Sequence, residues 1–205
     1  MLDPLLRRLV DPPLNRAGAW LADRGLTANQ ATVAGFVIGL LSVPLLAYGH
    51  YSAALVVILL NRLFDGLDGA IARRSRPTAF GGYLDIVCDM TFYAVVPLGF
   101  ALARADNAVW AALLLTAFMS TGTSFLGRAV MAAQRSEPDN GVRGRKSFFY
   151  SAGLIEGTET IVAFVVFCLF PGIFPWLAAA FALLCFWTAV ARVLDGFWKD
   201  SESDH

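Results

Sequence analysis

Four aspartates punctuate an otherwise apolar stretch: Asp65 and Asp68, three apart, then Asp85 and Asp89, four apart. Each spacing puts its pair on one face of a helix. A carboxylate at the centre of a bilayer costs roughly 3 kcal/mol on insertion scales, so four of them call for a shared partner. A divalent cation is the simplest one. Oxygen-rich ligand sets suit magnesium or manganese, ions that usually attend phosphate chemistry. A pair of such cations would offset the repulsion among the acids and leave a phosphate-binding surface. Gly66 and Gly69 beside the first pair, and Gly81 and Gly82 before the second, strip side chains from the helices there. A ligand or a neighbouring helix can then approach closely. Arg73, five residues past Asp68, is either a fork-shaped phosphate grip or a snorkelling surface arginine.

The elements that must position these acids follow from composition. Of 205 residues, 57% are hydrophobic and 16% charged, more apolar than soluble domains at about 45–50%. Six apolar segments, near 29–49, 51–73, 80–104, 108–128, 149–169 and 174–193, approach the roughly 20 residues of a spanning helix. The expectation is an all-α membrane protein of six transmembrane helices forming one domain over 26–198. An antiparallel hairpin of the second and third helices brings both acid pairs within about 15 Å of the same end, at roughly 1.5 Å per residue.

Basic residues set the orientation. Arg7, Arg8, Arg16 and Arg24, then Arg73, Arg74 and Arg76, then Arg135, Arg143, Arg145 and Lys146, and finally Lys199 fall on one side; Arg104 alone lies near the other. Both termini and the acid-bearing ends therefore face the cytoplasm. Residues 1–25 read as an amphipathic helix in the interface, broken near Pro12–Pro13, and 199–205 as a frayed polar tail. Thr27 or Asn29 starts the first span as its N-cap, with Thr32 one turn later. Cys88, Cys168 and Cys185 read as small buried hydrophobes, and neither His50 nor His205 is placed to act as a base. The start of the chain does not read as a cleavable leader, and no feature suggests nucleic-acid binding.

The run Asp65-x2-Asp68-Gly69-x2-Ala72-Arg73, seven residues, then Gly81-x3-Asp85-x3-Asp89 resembles the signature of the CDP-alcohol phosphotransferase (phosphatidyltransferase) family, with every fixed position matched. The six-helix layout and interfacial helix are similar too. The resemblance implies a bacterial inner-membrane transferase moving a phosphatidyl group from CDP-diacylglycerol to an alcohol, with CMP released. It implies that Asp65, Asp68, Asp85 and Asp89 hold two magnesium or manganese ions and that Asp89 is also the catalytic base. Asp68, Gly69, Ala72, Arg73 and Gly81 would line the CDP site. Thr27, Asn29 and Thr32 would lie near the nucleotide, although Ala28 stands where the family has proline. A homodimer is expected on the same ground.

The acceptor is less determined. Glu156 and Glu159, placed by the segment boundaries roughly 12–16 Å into the fifth helix, could bind a polyol, attract an ammonium group, or pair with a buried arginine such as Arg62. Arg128, Arg143, Arg145, Lys146 and Arg192 favour a phosphorylated acceptor such as glycerol 3-phosphate, if they are more than positive-inside charge. Amino alcohols (ethanolamine, choline, serine) are the alternative. Two other classes compete, a cation transporter and a non-catalytic CDP-lipid-binding scaffold. The acids lack a route to the far side, and no signature position is missing.

Overall fold

A computed structural model describes the backbone of residues 3–75, 77–134 and 155–203, and the side chains of residues 10–75, 77–134 and 155–198. Its elements are α1 (Asp3–Asp23), α2 (Ala28–Leu40), α3 (Ser42–Ala47), α4 (Tyr51–Ser75), α5 (Ala79–Ala103), α6 (Ala108–Gln134), α7 (Gly157–Leu169) and α8 (Phe174–Ser203), with short 3-10 turns before α6 and α8. The described residues contain no strand. By length and composition, four helical stretches can cross a membrane: Ala28–Ala47, Ala79–Ala103, Ala105–Gln134 and Pro171–Trp198. Of the other two expected spans, α4 is 25 residues long but carries Arg62, both aspartates, Arg73 and Arg74, and α7 is a 13-residue apolar helix.

Several boundaries differ from the sequence reading. The first span is two helices hinged at Leu41, not one. Pro44 explains this: it offers no N–H to the Leu40 carbonyl, and its ring crowds that group. The proline pair does not break α1, which runs through Pro12 and Pro13. Its second half is held against α4, where a Cβ on Gly18 would sit 2.5 Å from that of Ala70, and Leu14 lies over Gly66. The helix α8 continues past Lys199 to Ser203. The fifth helix starts at Gly157; the part of the expected segment before Ile155 lies outside the described residues.

The core draws on α3 to α8 and has phenylalanines at its centre. Phe100 stacks on Phe174 with centroids 4.5 Å apart, and Phe164 meets Phe92 edge-on at 6.2 Å. All three cysteines are free and buried, as the composition suggested. Large apolar side chains such as Val109, Trp187 and Leu183 face outward, the pattern of a bundle whose solvent is lipid. At the acid-bearing end, α2 packs so tightly on α4 that a Cβ on Gly35 would meet that of Phe64 at 2.5 Å. This close crossing lets residues of α2 reach the carboxylates on α4.

Candidate active site

The α4–α5 hairpin does what the spacing requires. Asp65, Asp68 and Asp85 each offer a carboxylate oxygen, and these lie within 4.8 Å of one another. A three-oxygen group of this size can hold a hard divalent cation. Asp68 is buried, and Thr32 Oγ1 on α2 donates a hydrogen bond to its Oδ2 at 2.6 Å. Asp89, one turn deeper along α5 than Asp85, receives Arg62 Nη2 at 2.7 Å. The same guanidinium places Nη1 at 3.5 Å from Asp65 Oδ2.

Arg62 is the main site residue that the sequence left unassigned. Weighed there as a partner for the glutamates, it lies against the aspartates. It also donates to Asn61 Oδ1 from Nε and Nη2, at 3.0 and 2.8 Å, and to the Tyr93 hydroxyl at 3.2 Å. Asn61 is fixed in turn by its Nδ2 donating to the Gly35 carbonyl at 2.9 Å. The signal was present in the sequence, because an arginine three residues before an acid on an apolar helix needs a buried partner. Which acid it would meet depends on how α5 packs.

The four aspartates, Arg62 and Tyr93 line one cavity of about 1550 Å³. Asp65, Asp68, Asp85 and Asp89 form one wall, with Gly69, Ala72, Arg73 and Gly81 beside them. Arg73 is braced from α1, since Asn15 Oδ1 accepts from its Nε at 3.2 Å and its Nη2 at 2.7 Å. A side chain at Gly69 would come within 3.4 Å of Arg73 Nη1, and one at Gly81 within 3.0 Å of Asn29 Oδ1. Both glycines thus keep open the space between the acids and their polar neighbours. Thr78, which the sequence reading passed over, caps α5 by accepting from Gly81 N at 3.0 Å.

The three polar residues at the start of α2 separate into different roles. Thr27 is the N-cap, in a reciprocal capping box with Gln30. Asn29 faces Gly81, and Thr32 reaches Asp68. All three line the cavity.

The opposite wall is built from α6, α7 and α8. Glu156 is buried at the N-cap of α7, not roughly 12–16 Å into a helix, and Glu159 is its third helical residue. The two form a capping box: the Glu156 side chain accepts from the N–H of Glu159, and Glu159 Oε2 accepts from Glu156 N at 3.2 Å. Gly157 sets this boundary, as glycine favours a helix start over a helix interior. Glu156 and Thr158 line the cavity. Arg192 is buried, lines it too, and donates from Nη1 to the Thr121 carbonyl at 3.1 Å. Arg128 is buried with its Nε 3.9 Å from Asp195 Oδ2. Arg135, Arg143, Arg145 and Lys146 fall outside the described residues.

Known proteins resemble this chain. The family model for CDP-alcohol phosphatidyltransferase matches residues 25–192. The inner membrane protein YnjF of Escherichia coli (strain K12) is 50% identical over 198 residues, 96% of each chain. An archaetidylinositol phosphate synthase of Pyrococcus horikoshii is 37% identical over 98 residues, which cover 47% of this chain and 52% of the synthase. Phosphatidylinositol phosphate synthase (PgsA1) of Mycobacterium tuberculosis, solved with CDP-DAG bound, superposes with a TM-score of 0.69 at 22% identity. The match covers 88% of this chain and 91% of that one, and it shows a common fold. With the signature residues gathered on one cavity and the family model spanning most of the sequence, the chain belongs to the CDP-alcohol phosphatidyltransferase family.

Proposed function

We propose that this membrane transferase moves a phosphatidyl group from CDP-diacylglycerol to a small phosphorylated alcohol, of which glycerol 3-phosphate is the simplest, releasing CMP. The observation that carries the proposal is the convergence of Asp65, Asp68 and Asp85 within 4.8 Å on a cavity that Asp89 and Arg73 also line. The donor set is all carboxylate oxygen, which fits magnesium or manganese. Two such ions, held by the four aspartates, would neutralise the donor's pyrophosphate and the departing CMP.

The chain's own residues supply the rest. Arg73, fixed by Asn15, grips a donor phosphate at the mouth. Gly69, Ala72 and Gly81 leave room for the nucleotide, with Thr27, Asn29 and Thr32 at its edge. Asp89 takes the proton from the acceptor hydroxyl. That oxygen then attacks the β-phosphorus, and the bond from the β-phosphorus to the bridging oxygen breaks, so that CMP leaves with the electron pair. Beyond Asp89 the cavity wall turns apolar through Met90, Phe118 and Val165, as a lipid donor requires.

The acceptor sits toward Arg192 and Glu156, which both line the cavity. A buried guanidinium on the cavity favours a phosphate over an ammonium group. The named products of relatives differ: the Pyrococcus protein is an archaetidylinositol phosphate synthase, and a Mesorhizobium japonicum relative, 26% identical over 175 residues, is a phosphatidylcholine synthase. In the cell we place the protein in a bacterial inner membrane as a homodimer. Six spans, α1 in the interface, and both termini and the cavity mouth on the cytoplasmic side complete that picture.

The test is CMP release by purified protein with CDP-diacylglycerol and magnesium across glycerol 3-phosphate, inositol phosphate, serine, ethanolamine and choline. Acceptor-dependent CMP with a phosphorylated alcohol, cut about 10²- to 10⁴-fold in Asp89→Asn, is the expected result. Release with an amino alcohol alone would move the acceptor to the alternative class. Donor binding without release for any acceptor would make the protein a scaffold, and cation flux in liposomes a transporter.

A further inference from the structure

We infer that Arg62 occupies the place of the second cation until a donor arrives, so that the resting site takes one divalent ion and the second enters only with the CDP-linked donor. This inference rests on the metal-dependent transfer proposed above. Three carboxylates converge within 4.8 Å, and the fourth, Asp89, is engaged by Arg62 Nη2 at 2.7 Å. Nη1 of the same group lies 3.5 Å from Asp65. Arg62 therefore bridges one acid of α4 and one acid of α5, as an ion shared by the two helices would.

The bridge is built in. The Arg62 side chain is 15% exposed, Asn61 accepts two of its hydrogen bonds, and Tyr93 accepts a third. Its guanidinium also lies over the rings of Phe92 and Tyr93, at 5.1 and 5.4 Å from their centroids. An arginine stays protonated, so this positive charge cannot be titrated away. With four carboxylates, Arg62 and one divalent ion, the cluster carries about one net negative charge. A second ion would make it positive by about one in a low-dielectric setting, where uncompensated charge is costly. A pyrophosphate diester brings about two negative charges and removes that obstacle. Asp89 then turns from Arg62 to the incoming ion, while Asn61 and Tyr93 keep the guanidinium in place.

The experiment counts bound Mn²⁺ by electron spin resonance on the full chain in detergent, with manganese alone and with manganese plus CDP-diacylglycerol. The parent is expected to hold about one ion alone and about two with the donor. Arg62→Met is expected to hold about two without donor, and Arg62→Lys, which keeps the charge, to behave as the parent. Two ions in the parent without donor would overturn the inference. So would an Arg62→Met protein that keeps the first ion at parental affinity and gains no second. If the methionine variant fails to fold, the parent decides alone: the same count with and without donor rejects the inference. Absence of manganese from every form, donor included, would remove the metal-dependent reading as well.

Discussion

The two walls of the cavity are made differently. The α4–α5 wall draws its acids from 25 consecutive positions on two helices joined by a short turn. The α6–α7–α8 wall draws Glu156 and Arg192 from positions far apart: Glu156 caps its own helix, while Arg192 on α8 donates to the Thr121 carbonyl of α6. On the first wall, helical spacing and one short hairpin decide which acids meet. On the second, tertiary packing decides, and a polar residue there can serve its helix as readily as a ligand. Charged residues in a membrane are functional candidates on either wall, but only on the first does position in sequence say what they do.

The contrast is sharpest at Asp85, and its loss carries the largest expected effect. Asp85 belongs to the three-carboxylate group yet is not the residue proposed as base. Asp85→Asn is expected to weaken manganese binding by about 100-fold or more, since even outer-shell changes cost 10- to 100-fold. Binding of manganese measured by spin resonance, set beside CMP release, checks this. Unchanged affinity would mean that the acids on the hairpin meet for a reason other than a cation.

The same distinction explains what could be read from the sequence. The acid pairs, the depth they share and the helices that carry them follow from spacing and hydropathy, because the hairpin is local. The hinge at Leu41 also has a signal in the sequence, Pro44 within an apolar run, which hydropathy alone does not register. The start of α7 is marked as well, by the polar run from Glu156 to Thr160 with Gly157 inside it, but apolar residues on both sides of that run make it read as one continuous segment. Asn15 and Arg62 escaped for another reason. An asparagine on α1 bracing Arg73, 58 residues on, and an arginine on α4 meeting Asp89, 27 residues on, are products of packing. Periodicity says that such residues share a face with something; it does not say with what.

Arg192 tests whether the second wall recognises substrate at all. Its guanidinium lines the cavity and is steadied by the Thr121 carbonyl. Arg192→Ala is expected to raise the acceptor KM about 10- to 100-fold, the worth of a charge-assisted hydrogen bond of about 1.5–3 kcal/mol. The donor KM should change by less than about threefold, because the CDP contacts lie across the cavity. Steady-state kinetics with each substrate varied in turn separates the two, and Arg192→Lys should recover part of the loss. Equal rises in both KM values would assign Arg192 to the packing of α6 on α8.

Glu159 gives the smallest expected effect and the finest division between the walls. Its Oε2 already accepts from the Glu156 backbone, and the capping box accepts glutamine at this position as readily as glutamate. Glu159→Gln keeps that hydrogen bond and removes only a charge at a helix N-terminus, worth about 0.3–1 kcal/mol. The melting temperature should therefore fall by no more than about 4 °C, and the acceptor KM should stay within about twofold of the parent. A tenfold rise in acceptor KM at unchanged stability would show that the carboxylate reaches the substrate while it caps the helix. The second wall would then carry acceptor chemistry on residues that also hold its own helix ends, and depth in a membrane segment would again be evidence of function there.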